Sequence, residues 1–492
     1  MFNVFAPILI AQATPEIEPL HTPEPPPPQY IIQKQPVRSL PGRLDKVPVF
    51  NSNSPEVVKN PGVLLSTFSP QDKNNRDSHL NYTFNGRFDI FTHHIARPPL
   101  DPVIAKRQMN LGIIAYNPGT KPVKLEVLQS LSYTSKDEAP FRELPSYADN
   151  TNGDVYSGPG SRLATDILRG VSDPVSSFTL APGQTQVIFS RPIPTGSARS
   201  GLMKLRSNGG VQIASIALLD NIEIPPVVPE ILAPFDIPRP PPVPVLKTLQ
   251  ESDWLTALNN APLASPRDEA PTTPSYYGAL VYGRVAGVSL GTRWEASLTD
   301  KPGDTSLTIP DRDKAFSYVL NGLNGGTLGT GQIQTALLSV RYPDTALAAH
   351  GNYTTYYRLT MPLANKTGAD QTVVIKLQTP LKDDLNADKL RFNATPSNQV
   401  AFRGTVRIAY PQADRDEPTV RQIHVVQRKG EQGKPLVIIN IPAGSQKLVE
   451  IDLVYPPDAT PPQVFTLESI DPATIPVVPS ERQLPLVPVD FP

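Results

Sequence analysis

Leu111-Gly112-Ile113-Ile114-Ala115-Tyr116, then Asn117-Pro118-Gly119-Thr120, then Val123-Lys124-Leu125-Glu126-Val127-Leu128 is the stretch that decides the fold class. It reads as an apolar run, a turn and an alternating run. Val123, Leu125 and Val127 fall on one face of an extended chain and Lys124 and Glu126 on the other, the two-residue period of a strand. Asn, Pro and Gly between the runs are turn chemistry, so the stretch predicts a hairpin with one wet face. Working outward, residues 178–189 repeat the scheme around Pro182-Gly183, and residues 211–218 add a closing strand.

The second half has the same grammar. Residues 357–363 lead to a turn at Asn365-Lys366-Thr367-Gly368 and out along residues 372–377. Residues 436–441 turn at Pro442-Ala443-Gly444 into residues 447–454. Each half is thus a strand, an Asn-led turn, a strand, a long insertion, then a strand turning at Pro-Gly or Pro-Ala-Gly into a last one. Strands at this spacing bury their apolar faces best against a second sheet. The expected fold is mainly β: two antiparallel β-sandwich (Ig-like) regions joined by proline-rich linkers, with few short helices.

Proline sets the boundaries. There are 59 in 492 residues, about 12% against a usual share of about 5%. Each proline in a helix interior costs roughly 3 kcal/mol, which excludes a mostly helical protein. Residues 14–48 form a proline-rich N-terminal segment, 223–275 a proline-rich linker with a short helix, and 471–492 a proline-rich tail; polyproline segments are stiff spacers. The sandwiches are expected over 49–222 and 276–470. Residues 279–288 and 293–298 read as a hairpin packed on the second region. The helix is placed at 252–258 by a Ser/Asp start and an apolar stripe, docked on that same region.

The apolar residues 2–10 followed by Ala11-Gln12-Ala13 read as a signal peptide over 1–13 with a truncated n-region. No stretch of about 20 apolar residues exists to span a membrane as a helix. Charges nearly cancel, 45 Lys+Arg against 46 Asp+Glu, and no basic run occurs, which argues against a nucleic-acid partner. The chain has no cysteine, which excludes disulfides, thiol nucleophiles and cysteine metal sites.

Few residues stand out as chemical candidates. His93-His94 sits in a strand, where neighbours point to opposite faces; one buried and one surface histidine is expected. Asn150, Asn152 and Asp154 place oxygen side chains at alternate positions beside Gly153, as weak calcium sites do. The plainer reading is a polar loop that satisfies its own backbone. Residues 323–332 are glycine-rich without the Gly-Lys-Ser/Thr ending of a phosphate loop, and read as a surface loop. Residues 158–170 turn tightly into a helix-like piece that lacks a Gly-x-Ser-x-Gly elbow. Tyr353, Tyr356, Tyr357 and Trp294 make either a sugar-stacking platform or part core, part surface. No cofactor is called for.

Asn85-Gly86-Arg87-Phe88-Asp89-Ile90-Phe91 with His93-His94, Asn117-Pro118 before Pro122-Val123, Gly158-Pro159-Gly160-Ser161-Arg162, Tyr282-Gly283-Arg284-Val285-Ala286-Gly287 and residues 455–462 occur together. The set resembles a cyanobacterial family of large secreted or envelope proteins known only as a domain of unknown function. The resemblance covers roughly residues 36–467. It implies an extracytoplasmic setting (periplasm, cell surface or medium) and brings no activity or catalytic residue. The expected function is a non-enzymatic structural or binding protein of the cell envelope, contacting polysaccharide or another envelope protein. Two alternatives stay open: a polysaccharide hydrolase using a pair of carboxylates, and an assembly factor for exported polymers that uses a strand edge.

Overall fold

The computed structural model describes residues 29–99, 107–223, 244–272, 280–412 and 417–474, and the backbone of 487–488. The signal-peptide reading of 1–13, the proline runs of 14–28 and 224–243 and most of the tail lie outside these residues. The protein is mainly β. None of its described helices is long and apolar enough to cross a membrane.

The first sandwich is organised on one strand, Ala198–Leu219, which belongs to both of its layers. Its first half lies between Phe84–Ala96 and Val123–Thr134. After an irregularity at Ser207/Val211, its second half lies between Met109–Tyr116 and Gly62–Ser66. Phe84, Phe88, Ile90, Leu125 and Leu205 from the first layer meet Leu65, Ile113 and Ile213 from the second in a buried core. The second sandwich pairs Gln446–Val454 with Tyr356–Ala364 and with Val400–Tyr410 in one layer. In the other, Gln371–Gln378 lies between Pro435–Ile441 and Gln463–Ile470. Leu359, Met361, Ile408 and Ile451 face Val373, Ile375, Ile439 and Phe465 across that core.

The turn after Tyr116 does not make the expected hairpin. Met109–Tyr116 and Val123–Thr134 do not pair with each other; they stand in opposite layers, joined by an arch. The arch is held by the Asn117 side chain, which is fully buried. Its Nδ2 donates to the carbonyls of Lys121 (2.8 Å), Leu180 (3.0 Å) and Ala181 (3.1 Å), and its Oδ1 accepts from Gly119 N (2.9 Å). Asn117 N also donates to Gln184 O at 3.1 Å, fastening the arch to the Pro182-Gly183 turn. The second sandwich repeats this construction. Asn365 Nδ2 donates to Ala369 O (2.8 Å) and Ile441 O (2.9 Å), its Oδ1 accepts from Thr367 N (3.0 Å), and Asn365 N donates to Ser445 O (3.0 Å). In each half the two arched strands pair with the two strands flanking the Pro-containing turn: Thr185–Ile193 with Met109–Tyr116 and Phe178–Leu180 with Val123–Leu125, then Gln446–Val454 and Pro435–Ile441 in the same roles. Two copies of one nested-arch architecture are present.

Several segments pair across the expected boundaries. Ala286–Leu290 joins the first sandwich, beside Pro48–Ser52 and Ala336–Arg341. Arg293–Ser297, only two residues later, runs parallel to Tyr356–Thr360 in the second. So residues 280–298 form no hairpin; they cross between sandwiches, with Gly291 at φ +127° in the crossing, and residue 279 of the expected hairpin lies outside the described residues. Tyr147–Asp149 pairs with Ile423–Val425 of the second sandwich. Tyr30–Lys34 pairs with Lys389–Asn393, and Val37–Arg38 with Ser317–Tyr318. The end of the N-terminal proline-rich segment is therefore sheet. Pairing is mostly antiparallel; Arg293–Ser297, Val37–Arg38 and Pro48–Ser52 each run parallel to a neighbour.

Two helices fill the remaining faces. α1, Pro159–Leu168, starts behind Gly158 (φ +101°) with Pro159 in its first turn and stops before Gly170 (φ +72°), the usual asymmetry of proline at the start and glycine past the end. Leu163, Ala164 and Ile167 pack on Phe91, Leu131 and Leu202 of the first sandwich. Its small polar side chains meet the second: Ser161 Oγ shares a hydrogen bond with His424 Nε2 (2.8 Å) and Thr165 Oγ1 with Thr405 Oγ1 (2.7 Å). α2, Glu251–Asn260, docks on the first sandwich rather than the second. Trp254 lies on Ile114, Ala214 and Ile216, over Gly112, where a Cβ would come within 2.5 Å of the indole ring.

Because α1 and the second sandwich cover the outer face of the Phe84–Ala96 strand, His93 and His94 are both buried, not one inside and one out. Burial pushes His79, His93 and His350 down to about 4 and His94 and His424 to about 3. These histidines fold neutral, so their contribution to stability is complete above about pH 6.5 and is lost as the pH falls toward 4, at up to about 1.4 kcal/mol per group per pH unit. Burial raises the Glu56 and Asp89 carboxyls, which offsets part of that loss. The urea midpoint should stay level from pH 8 to 7 and fall steadily from 6 to 4; an unchanged midpoint at pH 4 would contradict the neutral burial of these rings.

Candidate functional site

Loops from both sandwiches converge on a cleft of about 520 Å³. Asn51 and Asn53 enter from the end of Pro48–Ser52, and Glu56 lies just beyond. Asp268 comes from the segment after α2, and Tyr282 and Arg284 from the approach to Ala286–Leu290. His350 and Tyr353 lie on the bend before Tyr356–Ala364, and Lys382 follows Gln371–Gln378. The strand exchange between the sandwiches brings these residues together.

One group of lining residues is acidic and internally satisfied. Glu56 forms an ion pair with Arg284. Burial raises the Glu56 carboxyl, Arg284 opposes this, and Asp268 adds to it. Asp268 accepts hydrogen bonds from Ser54 Oγ (2.7 Å) and from Glu56 N (3.1 Å). His93 Nε2 stands 3.8 Å from Glu56 Oε1.

A second group is aromatic and basic. The Tyr282 and His350 rings lie 4.7 Å apart at 53°. The Lys382 ammonium sits 4.6 Å from the Tyr282 ring centre and donates to its hydroxyl at 3.1 Å, while that hydroxyl donates to Asn324 O at 2.7 Å. Burial lowers the Lys382 ammonium, and Lys429 adds to the effect against Asp384. Tyr353 donates to Ala459 O at 3.2 Å. Oδ1 of Asn51, Oδ1 of Asn53 and Nδ1 of His350 have no hydrogen-bond partner. Polar atoms withdrawn from water normally have one; these three are closed off from the cleft itself, behind the wall that their residues form.

The sequence candidates lie elsewhere. Asn150 is buried and points inward: its Nδ2 donates to Thr405 Oγ1 (2.8 Å) and Val155 O (2.9 Å), and its Oδ1 accepts from Val155 N (2.9 Å). It ties the Tyr147–Asp149 strand to the second sandwich, while Asn152 and Asp154 are exposed. The three are not brought together. No cluster of three or more His, Asp or Glu suited to a metal occurs among the described residues. The glycine-rich loop runs between Ala315–Leu320 and Ala336–Arg341 and is partly buried through Leu323, Thr327 and Leu328. Tyr357 and Trp294 are stacked in the core of the second sandwich, so the four aromatics form no platform; Tyr353 alone of them reaches the cleft. Glu56, Asp268, Arg284 and Lys382 carry no local motif. The one trace of the site in the sequence is Tyr282-Gly283-Arg284, within a stretch that carried the family resemblance.

Comparison with known proteins adds a family and no activity. No curated protein matches the chain. Among solved structures, an 11S globulin from Wrightia tinctoria, whose description mentions an auxin binding site, aligns at 10% identity over 88% of this chain and 86% of its own, with a TM-score of 0.10. The family described as "Protein of unknown function (DUF3370)" matches residues 35–469, and the chain belongs to it.

Proposed function

We propose that this chain is a non-enzymatic, extracytoplasmic binding protein of a cyanobacterial cell envelope, and that its inter-sandwich cleft takes a segment of envelope polysaccharide. One observation carries the reading: the cleft combines the Tyr282 and His350 rings with the polar side chains of Asn51, Asn53, Arg284 and Lys382 along its wall. Saccharides present hydroxyl donors beside apolar C–H faces, and sites that take such ligands pair aromatic surface with a few placed polar groups. Residues 2–13 support export. The full chain should be retarded in gels containing polysaccharide extracted from the producing cells, and cell fractionation should recover it outside the cytoplasm. Free migration with every glycan tested, or recovery only from cytoplasm, would end this reading.

The hydrolase reading has one observation in its favour. Glu56 and Asp268 share the cleft, and Glu56 is raised as a general acid must be. Binding is preferred because both carboxylates are already engaged, Glu56 by Arg284 and Asp268 by donors from Ser54 and Glu56. The wild-type chain should release no reducing ends from envelope polysaccharide. Release that disappears in Glu56→Gln would reverse the preference.

A further inference from the structure

Lys382 is the cation of the cleft without a counter-ion. Arg284 is neutralised by Glu56, but no carboxylate lies within salt-bridge distance of the Lys382 ammonium among the described residues, and its hydrogen-bond partner is the neutral Tyr282 hydroxyl. The side chain is half-buried against an aromatic ring. A cation withdrawn from water without a partner is costly. The Tyr282 ring face offsets part of this through cation–π attraction, and burial lowers its hold on the proton. Beside it, His350 is held neutral and its Nδ1 is unpaired. Among the described residues two lining carboxylates have no ion pair, Glu269 at the exposed rim and Asp268, which is held by the Ser54 hydroxyl and the Glu56 N–H.

We infer that the ligand is an acidic saccharide, its anionic group seated on Lys382 over the Tyr282 ring. This rests on the saccharide-binding reading above and narrows it to polymers bearing carboxylate or sulfate. An ammonium beside an aromatic face supplies both the charge and the stacking surface that one acidic sugar ring offers.

The test is calorimetric titration of the full chain with a galacturonic acid tetrasaccharide, a sulfated galactan tetrasaccharide and cellotetraose. At least one acidic tetrasaccharide should bind ten or more times tighter than cellotetraose, and whichever binds tighter identifies the anionic group. Lys382→Met keeps the stem and removes the charge; it should abolish that preference, while Lys382→Arg retains it. Raising salt from 50 to 500 mM should weaken acidic binding in the wild type and leave Lys382→Met unaffected. A matched melting temperature for Lys382→Met keeps the comparison clear of misfolding. Equal affinity for acidic and neutral tetrasaccharides, or a preference that survives in Lys382→Met, would overturn this inference and leave saccharide binding standing. Failure to bind any of them, together with free migration in the polysaccharide gels, would remove both.

Discussion

Asn117→Ala and Asn365→Ala are each expected to destabilise the protein by about 3 kcal/mol, although neither removes any appreciable hydrophobic surface. The reason is what stays behind. Without the Asn117 amide, the carbonyl of Leu180 loses a partner in a place that water does not reach, and Ala181 O and the N–H of Gly119 lose theirs at the partly covered edge of the arch. Asn365→Ala strips Ala369 O, Ile441 O and Thr367 N in the same way. Aspartate is no substitute: it retains the acceptor, loses both donors and buries a charge, so Asn→Asp should be at least as damaging. Asn324→Ala, at an exposed loop position, serves as a control with a change within about 0.5 kcal/mol. Urea denaturation of the three variants checks this. Asn117→Ala within 1 kcal/mol of wild type would mean that backbone bonds alone hold the arch.

Trp254→Ala should cost about 3–5 kcal/mol, the usual range for deleting a large core aromatic. The damage should centre on α2, since Trp254 is its main anchor on Ile114, Ala214 and Ile216. Limited proteolysis should then cut near residues 249–260, which the wild type protects. Gly112→Val attacks the same contact from the other side, since its Cβ would overlap the indole, and should release α2 likewise. Trp254 and Trp294 are the chain's two tryptophans, one in each sandwich. Trp254→Ala therefore leaves a single fluorophore reporting on the second sandwich. Its fluorescence transition should move less than the loss of total stability. An equal shift of both would show the sandwiches unfolding as one cooperative unit.

The elements were legible in the sequence; their partners were not. Alternation at Val123, Leu125 and Val127 shows which face is buried, and it does so whether the strand pairs with its neighbour in sequence or arches over to another sheet. At Asn117 the choice is made by carbonyls at Leu180 and Ala181, more than sixty residues away, which no local pattern records. The repeated grammar of the two halves was readable because each arch needs the same chemistry, an Asn to bond the facing turn and a proline or glycine to shape it. His93 misled because strand geometry sends neighbours to opposite faces but cannot tell that both faces are covered. The cleft was illegible for a related reason: Asn51, Asp268, Arg284, His350 and Lys382 come from five separate segments, assembled only when the strand at Ala286–Leu290 crosses into the first sandwich.

That crossing has a bearing on biogenesis. Pro48–Ser52 waits for a neighbour near residue 288, Tyr30–Lys34 for one near 391, and Tyr147–Asp149 for one near 424. A polypeptide made amino end first cannot complete the first half until about residue 349 has emerged, nor the second until Gln463–Ile470 has. Long-range closure of this kind is slow, so the nascent chain would stay open through most of its synthesis and close late, the amino-terminal half before the carboxy-terminal one.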